Sequence, residues 1–278
     1  MSIVSTPATI EEVEIQSLLE SIYRHTGFDF RDYAPSSLRR RIRDRVRAEK
    51  VNTVSGLQEK ALHDPACLER LLLGLLVTVS AMYRDPGFYL AFRQKIVPIL
   101  RTYPFVRIWH AGCSTGEEVY SMAILLHEEG LYNRCRIYAT DINENVLKRA
   151  RDAIYPLAAM KSYTAGYLQA GGTAAFSDYY TAQYDSVIFR SWLKANIVFA
   201  QHNLVVDGAF NEFHVIVCRN VMIYFNQSLQ ARVHNLFLSS LVRLGYLGLG
   251  SKESLKRTPV EGMYEVVDAQ QRWYRRVR

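Results

Sequence analysis

Cysteine is scarce: Cys67, Cys113, Cys135 and Cys218 are scattered, with no C-x-x-C pair and no histidine at ligand spacing. Neither a disulfide framework nor a metal site is expected, and a reduced cytoplasm suits such a chain. No stretch approaches the ~18 uninterrupted apolar residues that a spanning helix needs. The opening Met1-Ser2-Ile3-Val4-Ser5-Thr6 has neither the basic flank nor the apolar run of an export signal. Membrane insertion and export are therefore not expected. There is no internal repeat and no low-complexity run. What is present reads as globular: 278 residues, 49% hydrophobic, 22% charged and 12% aromatic, too apolar for disorder and too evenly charged for a coiled coil.

The charge is uneven. Thirty-four bases against 27 acids give +7, and the segment from Arg39 to Lys50 holds seven bases and two acids. One helical segment thus carries +5 of the excess, which points to an anionic partner, or else to a solvated helix face.

The first ~90 residues read as helix after helix. Thr9-x-x-Glu12 forms a capping box, and Ile15, Leu18, Leu19 and Ile22 recur at helical spacing before Gly27. Pro35 opens a second helix in which Leu38, Ile42 and Val46 form a packing stripe while the arginines fan outward. Asp64-Pro65 starts a helix through Leu71 to Val77, and Asp85-Pro86 starts another reaching about Leu100.

After Pro104 strands alternate with helices: strands at 106–109, 136–140, 197–200, 215–218 and 246–249, helices at 117–129, 143–153 and 228–244. Residues 264–267 and 273–277 read as a closing hairpin. The fold class is α/β: a small all-helical N-terminal domain, then a doubly wound, Rossmann-like sheet with a small inserted subdomain. The expected domains are a helical docking domain over 1–85, a linker helix over 86–104 and a ligand-binding domain over 105–278, with a β-subdomain inserted at about 170–198.

Ligands of such sheets sit at the carboxyl ends of the strands, where strand order reverses. Three features mark that edge: Gly112-x-x-x-Gly116 before a helix start, Asp141 at the end of the next strand, and Asn203 and Arg219-Asn220 after later ones. A dinucleotide site would have glycine where Ser114 stands. Glu117-Glu118 at the helix start would repel a pyrophosphate but suit a cationic ligand without phosphates, which favours a methyl donor over NAD. Gly112-Cys113-Ser114-Thr115-Gly116 also fits a serine nucleophile elbow, yet that turn follows the first strand and no oxyanion loop precedes it.

The chain resembles the CheR-type chemotaxis receptor methyltransferases over almost its whole length. Carrying the resemblance are Pro35-Ser36-Ser37-Leu38-Arg39-Arg40-Arg41, Arg84-Asp85-Pro86, Ala111-Gly112-Cys113-Ser114-Thr115-Gly116-Glu117-Glu118, Ala139-Thr140-Asp141-Ile142 and Cys218-Arg219-Asn220-Val221-Met222-Ile223-Tyr224-Phe225. The resemblance implies S-adenosyl-L-methionine as donor, S-adenosyl-L-homocysteine as product, and glutamate side chains of chemoreceptors as acceptors. It places Gly112, Glu118 and Asp141 on the donor, with Asp141 at the ribose. Asn203 and Leu204 would flank the adenine, and Arg219-Asn220 would border the methionine end. Thr78, Ser80 and Arg84 match a segment that closes over the donor. Departures are Thr78 for asparagine, Ser80 for threonine, Met82-Tyr83 for two phenylalanines, Val119 for proline, and Gly250-Ser251-Lys252-Glu253 for a Gly-His-Ser-Glu stretch.

A substrate glutamate, with a pKa near ~4.3, is already a nucleophile at neutral pH and needs no general base. Alignment of carboxylate and methyl group is then the main task. Arg84 is expected to hold the substrate anion and Tyr224 to orient it. Arg39, Arg40, Arg41, Arg43, Arg45 and Arg47 are expected to dock on the receptor's acidic helical bundle. The expected protein is a cytoplasmic monomer that binds no nucleic acid. Alternatives are a non-catalytic module sensing the donor or a nucleotide, and an RNA methyltransferase; the latter lacks an aromatic-interleaved basic stretch.

Overall fold

A computed structural model describes residues 8–76 and 80–278. Thr78 lies outside the described residues. The chain divides into two compact units, residues 1–77 with 224–230, and residues 78–223 with 231–278.

The first unit is helical. In α1 (Ile10–Thr26) Thr9 and Glu12 close the capping box, Gly27 ends the helix at φ +77°, and Leu18, Leu19 and Ile22 are buried. Pro35 starts α2 (Pro35–Ala48), Thr53 caps α3 (Val54–His63), and Asp64 caps α4 (Pro65–Leu75). Along α4 Cys67, Leu71 and Leu75 recur every four residues and are buried. The segment 224–230 joins this unit through the backbone: the Ala34 amide donates to the Tyr224 carbonyl at 2.7 Å, and the Asn226 amide to the Asp32 carbonyl at 2.8 Å.

One expectation fails on α2. Arg41 does not fan outward; it is 8% exposed, donates to the Leu75 carbonyl and stacks its guanidinium 4.6 Å from the Tyr224 ring centroid. The reason is helical geometry: position 41 lies three residues after Leu38, on the same face as the Leu38–Ile42 stripe.

The second unit begins with α5 (Pro86–Ala91), a π turn at Phe92–Ile96, and α6 (Val97–Leu100). The π turn falls just before Pro98, which has no amide to continue the ladder. Phe88, Tyr89, Phe92, Ile96, Val97 and Leu100 are all buried in this unit's core, so the segment expected as a linker is part of that core. There follow β1 (Val106–Ala111), α7 (Glu117–Glu128), β2 (Cys135–Asp141), α8 (Glu144–Asp152), β3 (Ile154–Pro156), α9 (Met160–Gln169), β4 (Tyr180–Gln183), β5 (Ser186–Phe189), β6 (Ile197–Gln201) and β7 (Phe213–Cys218). Then come α10 (Gln227–Ser240), β8 (Leu241–Leu249), β9 (Tyr264–Asp268) and β10 (Trp273–Arg276).

The large sheet has the order β6-β2-β1-β7-β8-β10-β9. Strands β6 through β8 run parallel, and β10 and β9 close the far edge antiparallel. The chain moves outward from β1 through β2 to β6, then returns to lay β7 on the other side of β1. That reversal puts the ligand crevice beyond the carboxyl ends of β1 and β7. Both strands are buried along almost their whole length, as a covered parallel sheet requires.

Two boundaries differ from expectation. The last long helix stops at Ser240, because strand pairing resumes at Leu241 opposite Phe213. In this strand Leu244 has φ +64° beside Gly245, whose added Cβ would lie 2.9 Å from both Leu241 and the Val242 carbonyl oxygen. The inserted β-structure also starts earlier, since β3 pairs with β5 and β5 with β4 in a separate three-stranded sheet.

Candidate functional site

The loop after β1 is shaped by close approach. Gly112 has φ +74°, and a Cβ there would lie 2.5 Å from a Val221 methyl. Its amide and that of Cys113 both donate to the Thr140 carbonyl, at 2.8 and 2.9 Å, which ties this loop to the end of β2. Gly116 has φ +91°, and a Cβ there would press on Ala150 at 2.9 Å. α7 therefore starts hard against α8, with Glu117 and Glu118 in its first turn, where carboxylates are favoured.

Asp141 is half-buried at the end of β2. Its carboxylate accepts from the Ser114 amide at 2.9 Å and the Asn143 amide at 3.0 Å. Burial raises its pKa against these bonds. The Asp141 carbonyl accepts from the His202 amide at 3.1 Å, so the loop carrying Asn203 and Leu204 is anchored to the same strand end. Asn203 shapes that loop: its side chain accepts from the Val205 amide at 2.9 Å, while its own amide donates to Asp207 at 2.7 Å. Leu204 is buried.

After β7 comes a second carboxylate cluster. Arg219 donates from Nη1 to Glu118 Oε2 at 3.0 Å and from Nη2 to Asp85 Oδ2 at 2.6 Å. Its guanidinium also lies 4.2 Å from the Phe88 ring centroid. Burial disfavours the cation, but Glu118 and Asp85 outweigh it and keep Arg219 firmly protonated. The other Glu118 oxygen meets His110 Nδ1 at 3.0 Å. Burial opposes the Glu118 charge, yet the His110 hydrogen bond and Arg219 hold the carboxyl below its ordinary range. Glu118 is thus an anion inside the site.

Asn220, next along, has φ +60°. Glu253 supports this turn: its carboxylate accepts from the amides of Gly250 (2.7 Å), Asn220 (3.0 Å), Val221 (3.0 Å) and Met222 (2.9 Å). Burial raises the Glu253 pKa against those four bonds.

The structure therefore brings Gly112, Glu118, Asp141, Asn203, Leu204, Arg219 and Asn220 to the carboxyl edge of one sheet. Among the described residues Ser80, half-buried, makes no side-chain hydrogen bond, and Arg84, exposed, makes no ion pair. Its neighbour Asp85 makes the ion pair instead. In the first unit Tyr224 lies under Arg41. Of the docking arginines, Arg39 pairs with Glu12 (2.7 Å), Arg43 with Glu11 (2.6 Å) and Arg47 with Asp44 (3.7 Å). Arg40 is exposed and Arg45 half-buried.

Sequence reasoning missed three contributors: Asp85, His110 and Glu253. Asp85 follows the singled-out Arg84, and Glu253 lies in a stretch noted only for its departures. His110 had one signal, a histidine next to the end of a mostly apolar interior strand.

The donor set fits a cationic, phosphate-free ligand: three carboxylates, one arginine and a glycine turn that tolerates no side chain. Comparison with known families gives the same answer. The CheR methyltransferase SAM binding domain matches residues 78–272, and the CheR methyltransferase all-alpha domain matches residues 13–76. The putative methyltransferase Cher3 of Pseudomonas putida is 48% identical over 265 residues, covering 95% of this chain and 97% of that protein. The chemotaxis protein methyltransferase of Listeria innocua is 28% identical, covering 84% of this chain and 87% of that one. That of Salmonella typhimurium is 27% identical, covering 88% and 85%. The chain belongs to the CheR family of S-adenosylmethionine-dependent methyltransferases.

Proposed function

We propose that this methyltransferase forms methyl esters on glutamate side chains of a chemoreceptor's cytoplasmic helical bundle. The observation that carries the reading is the ionised, half-enclosed Glu118 at the strand-order reversal, with Asp141 at the neighbouring strand end. A pair of carboxylates there suits an ammonium and a ribose diol rather than a phosphate. S-adenosylmethionine, when bound, supplies the activated methyl group. Glu118 would hold its ammonium, Asp141 its ribose, Arg219 and Asn220 the methionine end, and Asn203 and Leu204 the adenine. Ser80 would belong to the segment over the donor.

The chain then has two tasks toward the acceptor. One is to hold a carboxylate that is already ionised at neutral pH, so no side chain needs to take up a proton. Arg84, exposed and free of an ion pair among the described residues, is assigned to this by charge-assisted hydrogen bonding. The other task is docking. A groove along α2 lined by Ser36, Arg39, Arg40, Arg43, Asp44 and Arg47 presents a basic face to an acidic helix. With Glu11, Glu12 and Asp44 already neutralising part of it, Arg40 is the main charge in this groove without an ion pair among the described residues. Arg41, buried, is withdrawn from this role.

The test is calorimetry with S-adenosylhomocysteine on the whole protein beside Asp141→Ala, followed by methyl transfer to receptor-bearing membranes. Binding lost in Asp141→Ala supports the site. Wild-type affinity in that variant would refute it.

A further inference from the structure

His110 lies on β1, an interior strand of the large sheet, paired with Ala139 on β2 and Val217 on β7, and its ring is fully enclosed. It is the histidine 3.0 Å from Glu118. An ionised carboxylate offers only lone pairs, so the proton between them must sit on Nδ1. Nε2 is buried and has no partner among the described residues. The bond from Nδ1 to Glu118 is thus the ring's one polar attachment among the described residues.

The two Glu118 oxygens therefore have separate duties. Arg219 takes Oε2 and His110 takes Oε1, and two partners, one on β1 and one just after β7, allow the carboxylate only one orientation. We propose that His110 is a positioning residue that pre-sets Glu118 for the donor's ammonium. The inference rests on the reading of Glu118 as a donor-binding group. Without the Nδ1 proton, Oε1 would be a buried acceptor with nothing to accept from. Glu118 would then turn fully onto Arg219, away from the donor.

The experiment measures S-adenosylhomocysteine affinity by calorimetry for the intact protein and four variants. His110→Leu keeps the bulk and removes the donor; His110→Asn keeps an N–H near the Nδ1 position. A hydrogen bond to a charged group predicts a loss of about tenfold or more in His110→Leu. His110→Asn should stay within about threefold of wild type. On a Glu118→Ala background His110→Leu should add less than about twofold, since its effect passes through Glu118. Three results would overturn the proposal: His110→Leu binding as wild type, His110→Asn faring no better than His110→Leu, or an undiminished His110→Leu loss on Glu118→Ala. If Glu118→Ala itself binds as wild type, the donor-site reading fails, and this inference with it. Should His110→Leu not fold, imidazole nitrogen shifts of the wild-type protein decide the matter. They should show Nδ1 carrying a proton, and an unprotonated Nδ1 contradicts the proposal.

Discussion

Arg219 joins two carboxylates far apart in the chain: Asp85, 134 residues away, at 2.6 Å, and Glu118, 101 residues away, at 3.0 Å. Its side chain is only 2% exposed. Removing one member of a buried charge pair leaves the other uncompensated, at a cost of ~3–5 kcal/mol. Arg219→Met should lower unfolding free energy in urea by about 3 kcal/mol, discounting the exposed Asp85. Donor-product affinity should fall with it. A variant as stable as wild type would show that the pair contributes little.

The Gly112 turn makes a sharper prediction. Gly112→Ala would put a methyl 2.5 Å from Val221 at φ +74°, so both overlap and backbone strain apply. Stability should drop by ~1–3 kcal/mol and donor-product binding with it. Val221→Ala added to this variant should restore part of both, because it removes the overlap but not the strain. Thermal melting and calorimetry on the single and double variants check this.

Glu253 should behave as a structural anchor. Glu253→Gln keeps the shape but puts an NH2 group, a donor, among four amide donors. With each unmet buried amide costing ~1–3 kcal/mol, a loss of at least about 2 kcal/mol is expected. Donor-product affinity should also weaken, since the Asn220 turn loses its support.

Much of this architecture was legible beforehand. The strand–loop–helix at 106–117 declared itself through an apolar strand and two glycines, and Asp141 through its place at a strand end. Neither His110 nor Glu253 could be read so. A histidine inside an apolar strand is normally filler, and nothing local links Glu253 to amides some thirty residues earlier. The inward turn of Arg41 was masked by its neighbours: five outward-pointing arginines made a basic face, although i+3 spacing from Leu38 already favoured the packed side. The Ser240 boundary was missed because Leu241–Leu244 continues an apolar pattern that helix and strand share.

Acid should destabilise the protein in a window set by a different histidine. His234 is 1% exposed, and burial pushes its pKa down to about 4. In the unfolded chain a histidine titrates near ~6.5. Between those values the unfolded state binds the extra proton, so stability rises with pH from about 4 to about 6.5. The span is worth ~3 kcal/mol. His234→Leu should flatten that part of the stability–pH curve, measured by urea unfolding. An unchanged slope would point to other groups.

Docking on an acidic helix should show in salt dependence. Arg40→Glu should lower kcat/KM for the receptor substrate at low ionic strength and leave donor-product affinity unchanged. The difference from wild type should shrink as salt screens the exposed charge. Arg41→Glu should instead reduce stability, because its guanidinium is buried.

The central claim is best tested with receptor-bearing membranes and S-adenosylmethionine labelled in its methyl group. Label should pass to the receptor and be released as methanol by mild base, as a carboxyl methyl ester requires. Transfer of label in a base-stable form, or no transfer by a protein that binds the donor, would contradict the account.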